Sequence, residues 1–179
     1  MSPPGSDPIV AFYSGGRDAA GRTLAEILAW PDAELEAVHD YIQWVFPLTQ
    51  PSGVNPSAPL VTAKTVGAFV EDRSLREGLR AALDRMLAFY GLRRVVTADG
   101  DVRIQIDESR FAARSATWLR PGNHNHLRLT RIMGSLSALG LPDEARGLQR
   151  CLTADVAGGP GAGRITPQTL QFWRAAVER

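Results

Sequence analysis

The chain has 179 residues, 20 of them basic and 19 acidic for a formal charge of +1, and is 44% hydrophobic. That length and composition suit one soluble globular domain with a real core. No apolar run approaches the ~20 residues that cross a bilayer, the even charge balance excludes an electrostatic nucleic-acid binder of the ordinary kind, and the lone Cys151 excludes an intramolecular disulfide.

The first residues, MSPPGSDP, carry neither a basic start nor an apolar stretch. Residues 1–8 therefore read as a flexible polar lead without a secretory signal, and a cytoplasmic protein is expected. IVAFY at 9–13 is a short apolar run, read as strand-like, that ends in Ser14-Gly15-Gly16; a loop follows, and Thr23 opens the helical pattern TLAEILAW. Pro31, followed by Asp32, Glu34 and Glu36, starts a second helix expected to reach Phe46, because proline presets φ in the first turn and acids there meet the helix dipole. Residues 47–60, PLTQPSGVNPSAPL, hold four prolines and one glycine, which argue for an ordered extended loop. Thr62 caps the next helix. Residues 73–92 give the strongest helical signal, with Leu75, Leu79, Leu83, Met86, Phe89 and Tyr90 on one side and Gly91 as the stop.

Around Asp99-Gly100 the period changes to two, predicting a hairpin with a two-residue turn and with Val95 and Thr97 on the face of Val102, Ile104 and Ile106. A short helix is expected near ESRFAARSATWL, then a break at PGNHNH. A further helix runs through Leu129, Ile132, Met133, Leu136 and Leu139 to Gly140, and another starts at Pro142 and includes Leu148, Cys151 and Leu152. AGGPGAG at 157–163 reads as a flexible connection, and Thr166-Pro167 opens a last helix. The expected fold is mostly α: one domain of six or seven helices with one small hairpin, divided into the lead, a helical body over 9–156, a Gly-rich linker over 157–164, and a C-terminal helix over 165–179 packed on the same body.

If residues 34–46 form one helix, its apolar side chains cover an arc of roughly 200°, wider than the ~100° stripe of a surface helix. The remaining sector gathers Glu36, His39, Asp40 and Gln43 into one polar strip beside Trp44 and Tyr41. Three roles are open to it. The strip can hydrogen-bond the backbone of the 47–60 loop, whose amides have no ladder partners, and this is the default expectation. It can line a pocket for a peptide or small molecule, with Trp44 and Tyr41 as walls and Asn55 from the loop. Or His39 can work with Asp40 or Glu36 as acid and base. Arg131 is expected to reach an acid such as Asp40, or a ligand carboxylate.

Other motifs carry less. His124 and His126 diverge on a helix start and have no acid or thiol close in sequence, so capping or surface polarity is expected rather than a metal. SGGRDAAGR at 14–22 lacks the lysine and hydroxyl of a phosphate loop, so Arg17, Asp18 and Arg22 are expected to fix the loop itself. Arg73–Glu77 and Arg80–Asp84 have the spacing of a solvated helix face. Trp30, Trp118 and Trp173 are expected as core or half-buried anchors. Nothing calls for a metal or cofactor.

The stretch from FYSGGRDAAGRTLAEILAWPDAELEAVHDYIQWVFPLTQPSGVNPSAPLV through MLAFYGL and LRLTRIMGSLSALGL resembles the conserved N-terminal domain of the opioid growth factor receptor family, over most of residues 12–141. All basic residues but Lys64 are arginine, and with this length a bacterial, stand-alone member is expected. The resemblance implies a non-enzymatic binding module, because the animal member is a receptor for an enkephalin peptide, associated with the nucleus and perinuclear membrane. The expected ligand is an unidentified peptide or small molecule in a cleft between the 31–46 helix and the 47–60 loop. An enzyme using His39, and a structural or protein-interaction domain, are the alternatives.

Overall fold

Side-chain caps decide where several of the helices begin. The computed structural model describes residues 7–178. The polar lead expected over 1–8 lies outside them except at its end, where Asp7 and Pro8 already open helix α1 (Pro8–Tyr13). Asp7 accepts from the N–H groups of Ile9 and Val10 at 2.9 and 3.1 Å, and Pro8 sits in the first turn. The run 9–13, expected to be strand-like, is therefore helical. Five apolar residues do not distinguish the two periods, whereas an aspartate cap followed by proline does.

Thr23 caps α2 (Leu24–Leu28) in a reciprocal box with Glu26. Next come α3 (Asp32–Ala37) and α4 (Ile42–Val45), then the 47–60 segment without regular structure. Thr62 caps α5 (Ala63–Glu71) in a box with Thr65, and α6 runs from Arg73 to Tyr90. Strands β1 (Leu92–Val96) and β2 (Val102–Ile106) form an antiparallel hairpin. Helices α7 (Phe111–Trp118), α8 (Asn125–Ala138) and α9 (Pro142–Arg150) follow. A π-helical segment, Cys151–Val156, and a series of turns lead to α10 (Pro167–Ala175), which is capped by Thr166. The described residues are thus mostly α, as expected, with ten α-helices instead of six or seven because several are only one or two turns long.

Contacts divide the described chain into two units. The first comprises residues up to Ala82 with Ala138–Gly140. Its core is a run of edge-to-face rings: Phe12 meets Tyr13 and Trp44, both at 5.7 Å, and Tyr13 meets Phe69 at 5.1 Å. Such contacts add about 0.5–1.5 kcal/mol per pair beyond the area they bury. The Tyr13 hydroxyl donates to the Val45 carbonyl, and burial raises its pKa. Helix α1 is tied to α5 by the Thr65 hydroxyl, which donates to Asp7 at 2.5 Å.

The second unit comprises Leu83–Ser137 and the described residues from Leu141 on. Gly91 ends α6 with φ +77°, and a Cβ there would lie 2.7 Å from Phe111 Cα. The hairpin pairs Leu92 with Ile106 and Val96 with Val102. Its turn is three residues long instead of two: the Gly100 N–H donates to the Thr97 carbonyl, Thr97 N–H donates to Asp101, and Gly100 takes φ +85°. The extra residue shifts the register by one. Leu92 and Ile104 therefore share the buried face, and Val95, expected on that face, stands with Arg93, Arg103 and Gln105 on the other.

Beyond the hairpin, rings again form a continuous row. Tyr90 meets Trp118 at 5.5 Å, Trp118 meets His126 at 6.2 Å, and His126 meets Trp173 at 5.7 Å. The Trp118 and Trp173 indoles donate to the carbonyls of Tyr90 and His126, both at 3.1 Å. His126, expected as a cap or surface residue, is 3% exposed. Its Nε2 lies 3.1 Å from the Trp118 carbonyl and must donate to it, so Nδ1 is unprotonated, with no partner among the described residues. Burial lowers its pKa. The 157–164 connection is wound into turns, and Gly161 is buried with its N–H on the Val156 carbonyl at 2.7 Å.

Gly91→Ala combines a left-handed backbone with a contact to backbone that cannot yield, so it is expected to destabilise the chain by about 1–3 kcal/mol, measured by urea unfolding. His126 is held neutral in the folded state, so the unfolded chain binds the extra proton as pH falls. The stability it contributes is complete above the ordinary histidine value of 6.5 and declines below it. Unfolding curves at pH 7.5 and 5.5 should show that decline, and His126→Phe should flatten it; an unchanged slope counts against the assignment.

Candidate functional site

The segment expected to be one helix from 31 to 46 is broken. Helix α3 ends at Ala37, Val38 is extended with ψ 134°, and α4 starts again only at Ile42. The continuous polar strip inferred from 100° spacing therefore does not form. Leu35, Tyr41, Ile42, Val45 and Phe46 are nevertheless buried. The break allows both short helices to bury their apolar residues without a single rod that is apolar over 200°, and the Tyr41 hydroxyl, donating to the Leu35 carbonyl at 3.2 Å, spans it.

Its polar residues now separate by environment. His39 and Asp40 are exposed in the connection, Glu36 and Trp44 are half-buried, and Gln43 is 4% exposed. With its amide oriented to donate, Gln43 reaches the carbonyls of His39 and Asp40, both at 3.2 Å. These are carbonyls that a continuing helix would have bonded itself, so Gln43 fastens the break. The expectation that the strip holds the 47–60 loop is corrected here for Gln43 and Asp40. That loop is closed by Val61 N–H on the Leu48 carbonyl at 2.9 Å, and Asn55 is engaged within it by Ser52 and Ser57.

Arg22 fixes the exposed side of the connection. One end of its guanidinium donates to Asp18 and the other to Asp40, at 2.7 and 2.9 Å, while the plane lies 5.4 Å from the centre of the Trp30 ring. Asp18 is itself engaged: it accepts from the N–H groups of Ala20 and Arg22, both at 2.9 Å, and its side chain has no exposure. The Asp18–Arg22 spacing suggested a loop clamp. The reach from Arg22 to Asp40, across 18 residues, left no local signal. Asp40 thus pairs with Arg22 instead of the arginine expected. Arg131 belongs to the second unit, where burial lowers its pKa.

Cys151 is buried and its thiol is pushed up to about 12, which keeps it protonated at neutral pH. Among the described residues no group of three His, Cys, Asp or Glu side chains is placed to hold a metal ion, and no helix is long and apolar enough to cross a membrane.

A mostly helical module with one hairpin, carrying a braced polar connection, is the class that these features define. The opioid growth factor receptor conserved region matches residues 23–178, and the chain belongs to that family. It is 42% identical to the rat opioid growth factor receptor over 125 residues, 68% of this chain and 20% of the receptor. It is 43% identical to the human receptor over 108 residues, 60% of this chain and 15% of the receptor. To opioid growth factor receptor-like protein 1 of mouse it is 33% identical over 113 residues, 60% of this chain and 22% of that protein. The chain therefore spans about a fifth or less of most of these relatives. No solved structure matches it.

Removing Arg22 strands the buried Asp18 charge, whereas removing Asp40 loses only a surface pair. Arg22→Ala is expected to cost about 3–5 kcal/mol and Asp40→Ala under about 1 kcal/mol in chemical denaturation. Equal costs would show that Asp18 is satisfied by its backbone donors alone.

Proposed function

We propose that this chain is a non-enzymatic binding module of the opioid growth factor receptor type, taking a peptide or small molecule against the Val38–Tyr41 connection and the neighbouring 47–60 loop. The observation that carries the reading is the braced break. His39 and Asp40 are presented at the surface beside half-buried Trp44, while Gln43 and Arg22 hold their backbone and carboxylate in place. A polar edge ordered before binding saves a ligand the entropy of ordering it. Glu36 and Asn55, both half-buried, are proposed as flanking contacts.

The relatives are named as receptors for an opioid growth factor, which supports a peptide as the ligand class. Arginine in place of nearly all lysine supports a bacterial source for this chain. An acid–base role for His39 is less favoured, because the carboxylate beside it in sequence is committed to Arg22.

Isothermal titration of the purified chain with an enkephalin peptide, together with native mass spectrometry for co-purified ligand, tests the reading. Saturable binding is expected to weaken about tenfold or more in His39→Ala and to weaken in Trp44→Phe, which keeps a ring against Phe12, at unchanged circular dichroism. Binding that both variants retain would sink this location. Turnover of any captured compound that depends on His39 would favour the enzyme.

A further inference from the structure

Within the second unit, a groove of about 790 Å³ lies between β2 and the outer side of α9 and the π-helical segment. Its floor is the closest approach of helix to strand: a Cβ on Gly147 would lie 3.7 Å from Ile104 N and from the Val102 carbonyl oxygen. The helix thus covers the outer edge of β2, which closes that edge to an added strand and leaves a trough above it. Arg103 projects from the strand and Arg146 and Arg150 from the helix into its lining, with Thr153 from the π-helical segment. Arg146 is paired with Asp143 at 2.6 Å. Arg103 and Arg150 are exposed and meet no carboxylate among the described residues. Through Gln105 and Asp155 the trough meets a second hollow of about 560 Å³, where Asp107 and Glu108 outweigh Arg93.

We propose that this trough is a second binding site, for an extended peptide segment that places a carboxylate side chain between Arg103 and Arg150 and a basic side chain in the adjoining acidic hollow. Two guanidiniums in one lining that meet no carboxylate among the described residues suit a ligand carboxylate, each offering paired donors in one plane. Asp101, Asp143 and Asp155 balance Arg103, Arg146 and Arg150 in the same lining, so the trough as a whole holds no excess positive charge for a phosphate dianion. The first volume falls in the range of ligand sites, and its continuation into a hollow of opposite charge calls for a ligand with separated charges, not a compact anion. The winding fits such a use: π-helical turns are uncommon and recur at binding sites, and this one carries Thr153 and Asp155 into the wall.

The test titrates the full chain, followed by amide chemical shifts, with a Gly/Ser peptide carrying one glutamate and, a few residues on, one lysine. Saturable shifts at residues 100–105 and 143–155 are expected, weakening as salt rises. Replacing the peptide's glutamate by glutamine should weaken binding about tenfold, as should the protein variant Arg103→Gln/Arg150→Gln, and the two losses should not add. Arg103→Lys/Arg150→Lys should fall between, because charge remains and the fork is lost. Absence of shifts in the trough, additive losses, or inorganic phosphate displacing the peptide at lower concentration than acetate would each overturn the proposal. The His39→Ala variant, changed at an exposed residue of the first unit, should bind this probe as the parent chain does, which separates the two sites.

Discussion

A polar atom taken out of water must find a partner, and in this chain the donors on large buried rings find theirs mostly in the main chain. Tyr13 donates to the Val45 carbonyl, Tyr41 to Leu35, Trp118 to Tyr90 and Trp173 to His126, while Tyr90 reaches Asn125. Each bond fixes a ring, and the carbonyls of Val45, Leu35 and Tyr90 lie in the last turns of their helices, where no intrahelical donor reaches them. The apolar body of the ring supplies burial and its polar tip supplies register. Short helices can therefore be assembled without long interfaces, which fits a chain built from many elements of one or two turns.

The same constraint makes the candidate site. Where the 31–46 segment breaks, two carbonyls lose their helical partners, and Gln43 takes them. Once Gln43 is committed inward, His39 and Asp40 are left outside, and Arg22 holds the latter. The site is thus a by-product of satisfying backbone in a segment too apolar to lie as one surface helix. Its exposed groups are braced by buried ones, an arrangement that suits recognition better than proton transfer.

The helix starts were legible because their signals are local. Thr23, Thr62 and Thr166 each sit one residue before the turn they cap, and Gly91 and Gly140 stand where the backbone turns left-handed. The mistaken readings share a cause as well. The hairpin register hung on one residue of turn length, and the 31–46 helix on whether Val38 would stay helical. Neither is recorded in hydrophobic spacing: Leu92 and Val96 on one face of β1 and Val95 on the other make either register plausible, and Val38 suits helical and extended backbone alike.

By itself the sequence determined the family, the mostly helical class, the caps and stops, and which side chains seek the core, since these depend on residue identity and near-neighbour spacing. Tertiary structure alone decided that His126 would be walled in by two tryptophans, that Arg22 would reach Asp40, and that Arg103 and Arg150 would line one trough. Those partners lie far apart along the chain, and only the closing of loops between them brings their charges and rings within the few ångströms over which such interactions act.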